Sequence, residues 1–126
     1  MDVVVIENCR RLREMLIDVL LGVDDIDVVA HAEDEKTALS LMESHQPHVV
    51  IVDLDLSGGS GIGLLTALNN DRGRYSDAKA VVFTNHNSVA LRRRCESLGI
   101  DGYFDKSYHL DDLIDYIRSE RDALAR

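Results

Sequence analysis

Several polar side chains follow directly on short apolar runs. Glu7 and Asn8 follow Val3-Val4-Val5-Ile6, and Asp53 and Asp55 follow Val49-Val50-Ile51-Val52. Thr84, Asn85 and His86 follow Ala80-Val81-Val82-Phe83, and Asp105 and Lys106 follow Gly102-Tyr103-Phe104. Brought to one edge, these residue types supply the parts of a phosphoryl transfer. A carboxylate can be the nucleophile toward phosphorus. Attack of an anion on an anion needs neutralisation, which Mg²⁺ provides when held by one or two carboxylates with water and phosphoryl oxygens. An ammonium takes a further phosphoryl oxygen, and a hydroxyl hydrogen-bonds the product. Asp53, the pair Glu7 and Asn8, Lys106 and Thr84 fill these roles in order. Taken singly, each has a plainer reading. Asp53 caps a loop, Glu7 is a surface acid, Asn8 is a helix N-cap and Thr84 is a β-former.

The elements that must position these residues show two alternating periodicities. The apolar runs read as strands buried on both faces, as in a parallel sheet. Between them lie helical stripes. Leu12, Met15, Leu16, Val19 and Leu20 mark the first, closed by Gly22. Ile26 to Ala30 reads as a second strand. Asp34 caps a helix bearing Ala38, Leu41 and Met42, and the one proline, Pro47, falls in the connector after it. Gly58 to Gly63 leads into a helix with Leu64, Leu65 and Leu68. Asn87 or Ser88 caps a helix with Leu91, Cys95 and Leu98, closed by Gly99. Leu110, Leu113, Ile114 and Ile117 mark the last helix. Five βα units predict an α/β fold, a parallel sheet with helices on both faces. Ligands of such sheets bind at the carboxyl ends of the strands, where the polar residues above fall. The glycines of GGSGIG match neither the Walker pattern nor a dinucleotide fingerprint after the first strand, and read as turn geometry.

Composition narrows the function classes. The chain has 126 residues, 14 Lys plus Arg and 23 Asp plus Glu, for a net charge of −9. That length suits one domain over 1–126. Five βα units use nearly all of it, so an output domain is expected on a partner or on a missing part of the chain. Nothing follows the last helix but the tail Arg118 to Arg126. The charge disfavours direct nucleic-acid binding. No apolar run approaches the roughly 20 residues of a membrane span. The start MDVVVIENCRR does not resemble an export signal. A cytoplasmic setting is therefore expected, with Cys9 and Cys95 as free thiols. His31, His45 and His48 are scattered and read as surface.

The segments VVVIEN, VVIVDLDLSGGSG, AVVFTN and DGYFDKS together resemble the blocks of bacterial two-component response-regulator receiver domains, and the resemblance runs from Val3 to the last helix. In fold and length the chain is similar to single-domain chemotaxis-type regulators. The resemblance implies a flavodoxin-like doubly wound sheet of strand order 2-1-3-4-5. It implies phosphorylation of Asp53 by a sensor histidine kinase or phosphotransfer protein, with Mg²⁺ held by Asp53, Glu7, Asn8 and the backbone carbonyl of Asp55. Lys106 and Thr84 assist, Thr84 and Tyr103 switch, and Asp55 and His86 tune the phosphate's lifetime. Outside the family, Tyr103 reads as packing and His86 as a surface histidine. The chain is expected not to be an enzyme toward a separate substrate, although it assists its own phosphorylation and dephosphorylation. The fourth helix, fifth strand and fifth helix form the implied signalling face, a possible homodimer surface, and Arg92-Arg93-Arg94 lie on it. Arg10, Arg11 and Arg13 lie where kinases dock in the family. Both basic patches suit acidic partner surfaces.

Three residues depart from the family pattern. Asn8 stands where a second acid is usual, which weakens the cation site unless the Asp55 carboxylate helps. Ser57 replaces a proline, so the loop DLSGGSG is expected to be more flexible. Ser107 follows Lys106 where a cis proline is usual, so that bond is trans or strained, a non-proline cis bond costing about 3 kcal/mol. Two alternatives follow: a pseudo-receiver acting as a phosphorylation-independent binding module, and a flavodoxin-like cofactor enzyme. The loop ENCRR disfavours the latter because it has no Ser, Thr or Gly run to cradle a phosphate.

Overall fold

Strands that are apolar at every residue need cover on both faces, and alternate side chains reach alternate layers. In the computed structural model, which describes residues 1–125, β1 (Asp2–Ile6), β2 (Asp27–Ala32), β3 (Val49–Val52), β4 (Lys79–Thr84) and β5 (Gly102–Asp105) form one sheet. Its order is β2-β1-β3-β4-β5, and every pairing is parallel. Val3, Val5, Val49, Ile51, Val81 and Phe83 pack against α1 (Arg10–Leu21) and α5 (Leu110–Leu124). Val4, Ile6, Val50, Val52, Ala80 and Val82 pack on the other face, against α2 (Glu35–His45), α3 (Gly61–Asn70) and α4 (Val89–Ser97). Burying each such side chain contributes about 1.5–3 kcal/mol. The expected doubly wound architecture and strand order are therefore present.

Boundaries differ in physically readable ways. The second strand runs Asp27–Ala32 rather than Ile26 to Ala30. Its pairing with β1 jumps from Val3↔Val28 to Val4↔Ala30, so Val29 is the extra residue of a bulge. Thr84 lies inside β4 and Asp105 inside β5, not beyond them. A short 3₁₀ turn, Arg72–Tyr75, was not foreseen, and it buries Tyr75. The last helix continues past Arg118 to Leu124, so most of the expected tail is helix; Arg126 lies outside the described residues. No helix among the described residues is long and apolar enough to cross a membrane.

Helix ends follow local chemistry. Asp34 caps α2 by accepting from the Thr37 N–H at 2.8 Å, and Ser88, not Asn87, caps α4. Ser60 caps α3, accepting from the Gly63 N–H at 2.9 Å. Gly22 ends α1, but in a right-handed conformation (φ −79°), so the left-handed closure expected of a glycine is absent there. Gly99 does adopt φ +79° after α4. Asn8 is not an N-cap: the cap position of α1 is Cys9, which makes no side-chain capping bond.

Gly61 opens α3 where the chain turns back on the end of β3. A Cβ there would overlap the Asp53 carbonyl oxygen and sit 2.6 Å from Leu54 Cα, both backbone atoms that cannot swing away. Gly73 has nothing within 4 Å of the same position. Gly61→Ala is therefore expected to destabilise the fold by about 1–3 kcal/mol in urea unfolding. Gly73→Ala should stay within about 0.5 kcal/mol of the native protein. Equal midpoints for the two variants would contradict the close approach.

Candidate functional site

After β1, β3 and β5, the first residue beyond the strand donates one more backbone bond to a neighbouring strand. The Glu7 N–H donates to the Ala32 carbonyl at 2.9 Å, Asp53 N–H to Ile6 at 2.9 Å, and Lys106 N–H to Thr84 at 3.0 Å. The first residues past the apolar runs are thus held as firmly as the strands. Their side chains converge. Glu7, Asp53, Thr84 and Asp105 are the buried polar residues among those described, at 3%, 5%, 0% and 6% exposure.

The Lys106 ammonium lies between two of them. Nζ is 2.6 Å from Glu7 Oε1 and 3.0 Å from Asp53 Oδ2. The second oxygens are also held: Glu7 Oε2 accepts from the Cys9 N–H at 3.0 Å, and Asp53 Oδ1 from the Asp55 N–H at 3.3 Å. Two buried carboxylates thus share one cation. Burial pushes the Glu7 carboxyl above its ordinary value, and the bonds from Lys106 and Cys9 do not undo this while the Asp53 charge adds to it. Burial also works against the charge of Lys106, but its hydrogen bonds to Glu7 and Asp53 outweigh that and hold it above the usual lysine value.

A second chain of contacts leads from this centre to α4. The Asp55 carboxylate meets His86 Nε2 at 2.7 Å, across the mouth of the site. The His86 N–H donates to Thr84 Oγ1 at 3.3 Å, and the His86 carbonyl accepts from Tyr103 OH at 2.7 Å. The Arg92 guanidinium stands 5.5 Å from the Tyr103 ring centre and pairs with Glu96 at 3.0 Å. Burial raises the Tyr103 hydroxyl above its ordinary value, which keeps it a donor.

The structure brings Glu7, Asp53 and Lys106 into direct contact, joins Thr84 to Lys106 through the backbone, and links Asp55, His86 and Tyr103 to Thr84 by a chain of hydrogen bonds. Asn8 stays apart: it is exposed. The Asp55 carboxylate faces His86 rather than the cleft, so it does not replace the missing acid. Among the described residues no cluster of three or more His, Cys, Asp or Glu side chains could by itself hold a metal. The oxygens that could hold a divalent cation here are of mixed kind: the Asp53 and Glu7 carboxylates and the Asp55 carbonyl, with the Asn8 amide on the exposed rim. Hard oxygen donors fit Mg²⁺, which keeps several waters. The net negative charge of the Glu7–Asp53–Lys106 group favours a further cation.

Other expectations change in detail. Peptide bonds are trans throughout the described residues, including Lys106–Ser107. The Ser57 loop is tied rather than loose: the Glu33 carbonyl accepts from both Ser57 N–H (2.9 Å) and Ser57 Oγ (3.0 Å). Cys9 and Cys95 are free thiols. Arg10 pairs with Glu14 on the surface, but Arg13 turns inward, to the Glu7 carbonyl at 2.8 Å, and leaves the proposed docking patch. Asp105 received no role from sequence. Its Oδ1 accepts from the Ser107 N–H at 2.7 Å, a turn that sets the direction of Lys106. A signal was present in the Asp-x-Ser spacing, an Asx-turn pattern.

Comparison with known proteins identifies this arrangement. The family model of the response regulator receiver domain matches residues 3–118. The chain belongs to the response-regulator receiver family. This receiver is 26% identical over 117 residues to the transcriptional regulatory protein DegU of Brevibacillus brevis, covering 93% of this chain and 48% of that one. It is 25% identical over 104 residues to the DNA-binding transcriptional activator EvgA of Escherichia coli, covering 82% and 50%. The receiver thus spans about half the length of these curated relatives. Among solved structures, a LuxR-family two-component response regulator from an Aurantimonas species superposes with a TM-score of 0.85 at 25% identity, covering 94% of this chain and 82% of that one. The response regulator domain of Thermotoga maritima CheB gives 0.85 at 17% identity, covering 97% and 96%, a likeness of fold.

The shared ammonium has a pH signature. Glu7 binds its proton more tightly folded than unfolded, so its ionisation lowers stability as pH rises through the range above the ordinary glutamate value. Glutamine has no such proton. The stability of Glu7→Gln relative to the native receiver is therefore expected to rise as pH increases above the ordinary glutamate value. Thermal melts in the presence of a chelator measure this, and a difference that shrinks with rising pH contradicts the burial argument.

Proposed function

We propose that this receiver accepts a phosphoryl group on Asp53 from a phosphohistidine of a sensor kinase or phosphotransfer protein. The observation that carries the reading is the Lys106 ammonium held between Asp53 and Glu7 at the sheet edge. Asp53 Oδ1, whose one contact is the long bond from Asp55, is the freer oxygen and attacks phosphorus. The phosphorus–nitrogen bond breaks, its electron pair returns to the donor imidazole, and an acyl phosphate remains on Asp53. Lys106 moves from the carboxylate pair to a phosphoryl oxygen, and the Thr84 hydroxyl donates to another. Receiver domains generally bind Mg²⁺ for phosphorylation; here Asp53, Glu7, Asn8 and the Asp55 carbonyl would hold it, and when bound it neutralises the anionic reactants. His86 and Asp55, paired across the mouth, govern entry of the donor and of the water that later hydrolyses the phosphate.

When Thr84 turns toward the phosphate, the His86 segment bonded to it shifts and carries the Tyr103 hydroxyl with it. The readout is the face of α4, β5 and α5, where Val89 and Tyr108 are exposed at 66% and 82% beside the exposed Arg93 and Arg94. An acidic, partly apolar partner suits that face, as does a second copy. The output lies in that partner or in an effector segment, since relatives of about twice this span are named as transcriptional regulators. One observation favours the second reading, a phosphorylation-independent binding module. Asn8, exposed and uncharged, stands where the family usually has a second acid.

Incubation with a small acyl phosphate and excess Mg²⁺ is expected to add one phosphoryl group to the intact mass, and Asp53→Asn to abolish the addition. The chain has no tryptophan, so mass rather than indole fluorescence is the readout. A native protein left unmodified at high Mg²⁺ would transfer the case to the binding-module reading.

A further inference from the structure

We infer that Arg13 is a positioning residue for Glu7, an inference that rests on the phosphoryl-acceptor reading. Arg13 lies in the first turns of α1, six residues after Glu7, and its side chain is only 12% exposed. A guanidinium withdrawn from water needs its donors satisfied. Its nearest carboxylate is Glu33 Oε2 at 3.7 Å, on a half-exposed side chain, which is a weak counter-charge. The short contact is instead to backbone: Nη1 donates to the Glu7 carbonyl at 2.8 Å. That carbonyl is the first beyond β1 and accepts no backbone bond from outside its own strand.

Glu7 is therefore fixed at four points. Its N–H is on the Ala32 carbonyl, its carbonyl on Arg13, and its two carboxylate oxygens on Lys106 and the Cys9 N–H. Arg13 is the one of these anchors that comes from the body of a helix, and it sets the turn from which the Glu7 side chain springs. The same guanidinium leans on Glu33, whose carbonyl takes both bonds from Ser57 in the loop after Asp53. Arg13 thus holds the loop after β1 directly and touches the loop after β2 only through the weak Glu33 contact. Without it, the Glu7 carboxylate loses its fixed distance from Lys106 and Asp53.

The test compares Arg13→Met, which keeps the apolar stem, with Arg13→Lys, which restores one donor, and with Leu20→Ala, a core change on the same helix. Two readouts are taken on the full chain: the rate of phosphorylation by a small acyl phosphate at fixed Mg²⁺, and the NMR signal of the Lys106 ammonium without Mg²⁺. Arg13→Met is expected to slow phosphorylation about tenfold, as loss of a group that orients a site residue does. It should also shift and broaden the Lys106 signal. Arg13→Lys should recover part of both. Leu20→Ala should lower the melting temperature and leave the Lys106 signal in place. The role is overturned if Arg13→Met leaves the Lys106 signal unmoved, whatever it does to the rate. If the native protein takes no phosphoryl group, the phosphoryl-acceptor reading fails by itself, and the Lys106 signal still decides whether Arg13 positions Glu7.

Discussion

One ammonium shared by two buried carboxylates is the interaction on which the site depends. Lys106 reaches both Glu7 and Asp53, and all three side chains are withdrawn from water. Removing Lys106 would leave two buried carboxylates with no counter-charge, a loss of the kind that costs about 3–5 kcal/mol. The group therefore acts as a single unit, and the fold must deliver its members from β1, β3 and the end of β5 to the same point. The group is also short of positive charge by one unit. Burial is the main cause of the raised Glu7 carboxyl, and the neighbouring Asp53 charge adds to it.

The doubly wound sheet does this delivery with little help from the loops. In a parallel sheet all carboxyl ends lie at one edge, and helices cover both faces. The backbone ladder extends one residue beyond β1, β3 and β5, at Glu7, Asp53 and Lys106. The site residues therefore inherit the rigidity of the core. Gly61 has a related part: only a residue without Cβ lets α3 begin against the backbone of Asp53 and Leu54. The loop after β3 is held by Glu33 and Ser57 where a proline is absent. A hydrogen-bonded serine and a proline are two solutions to the same loss of backbone freedom.

The fold was legible because its signal is repetitive. Apolar runs with no polar alternation, separated by helical stripes, leave few topologies, and the strand order followed with the family resemblance. The core members of the site were legible for the same reason, since they sit where each run stops. What escaped the sequence depends on distances between segments far apart in the chain. Arg13 reads as one basic residue among three, and only the fold shows it turned to the Glu7 carbonyl. Asn8 reads as a ligand or a cap, and the actual cap position is one residue later. The Asp55 carboxylate reads as free to help a cation, but it is engaged by His86, thirty-one residues away. Capping and strand limits shifted by a residue or two because local hydrogen bonding, not hydrophobicity, decides them.

The contacts around His86 suggest how a local charge change could travel without a large movement. Its N–H is on Thr84, its carbonyl on Tyr103 and its ring on Asp55, so one residue joins the loop after β3, the Thr84 hydroxyl and the Tyr103 ring. A displacement of Thr84 that breaks the 3.3 Å bond frees the segment between β4 and α4, whose residues 85–90 are exposed. Tyr103 then loses the carbonyl that holds its hydroxyl, and Arg92 loses the fixed ring beneath it. Neither contact is strong, since an exposed cation–π pair is worth about 0.5–1 kcal/mol. Weak contacts suit a switch: an equilibrium balanced by about 1–3 kcal/mol can be reversed by one charge change at the site. The strongly held part, Lys106 with its two acids, and the weakly held part, Tyr103 with Arg92, are joined by a single segment. That division lets a change of charge at the buried end bias the surface without loosening the core.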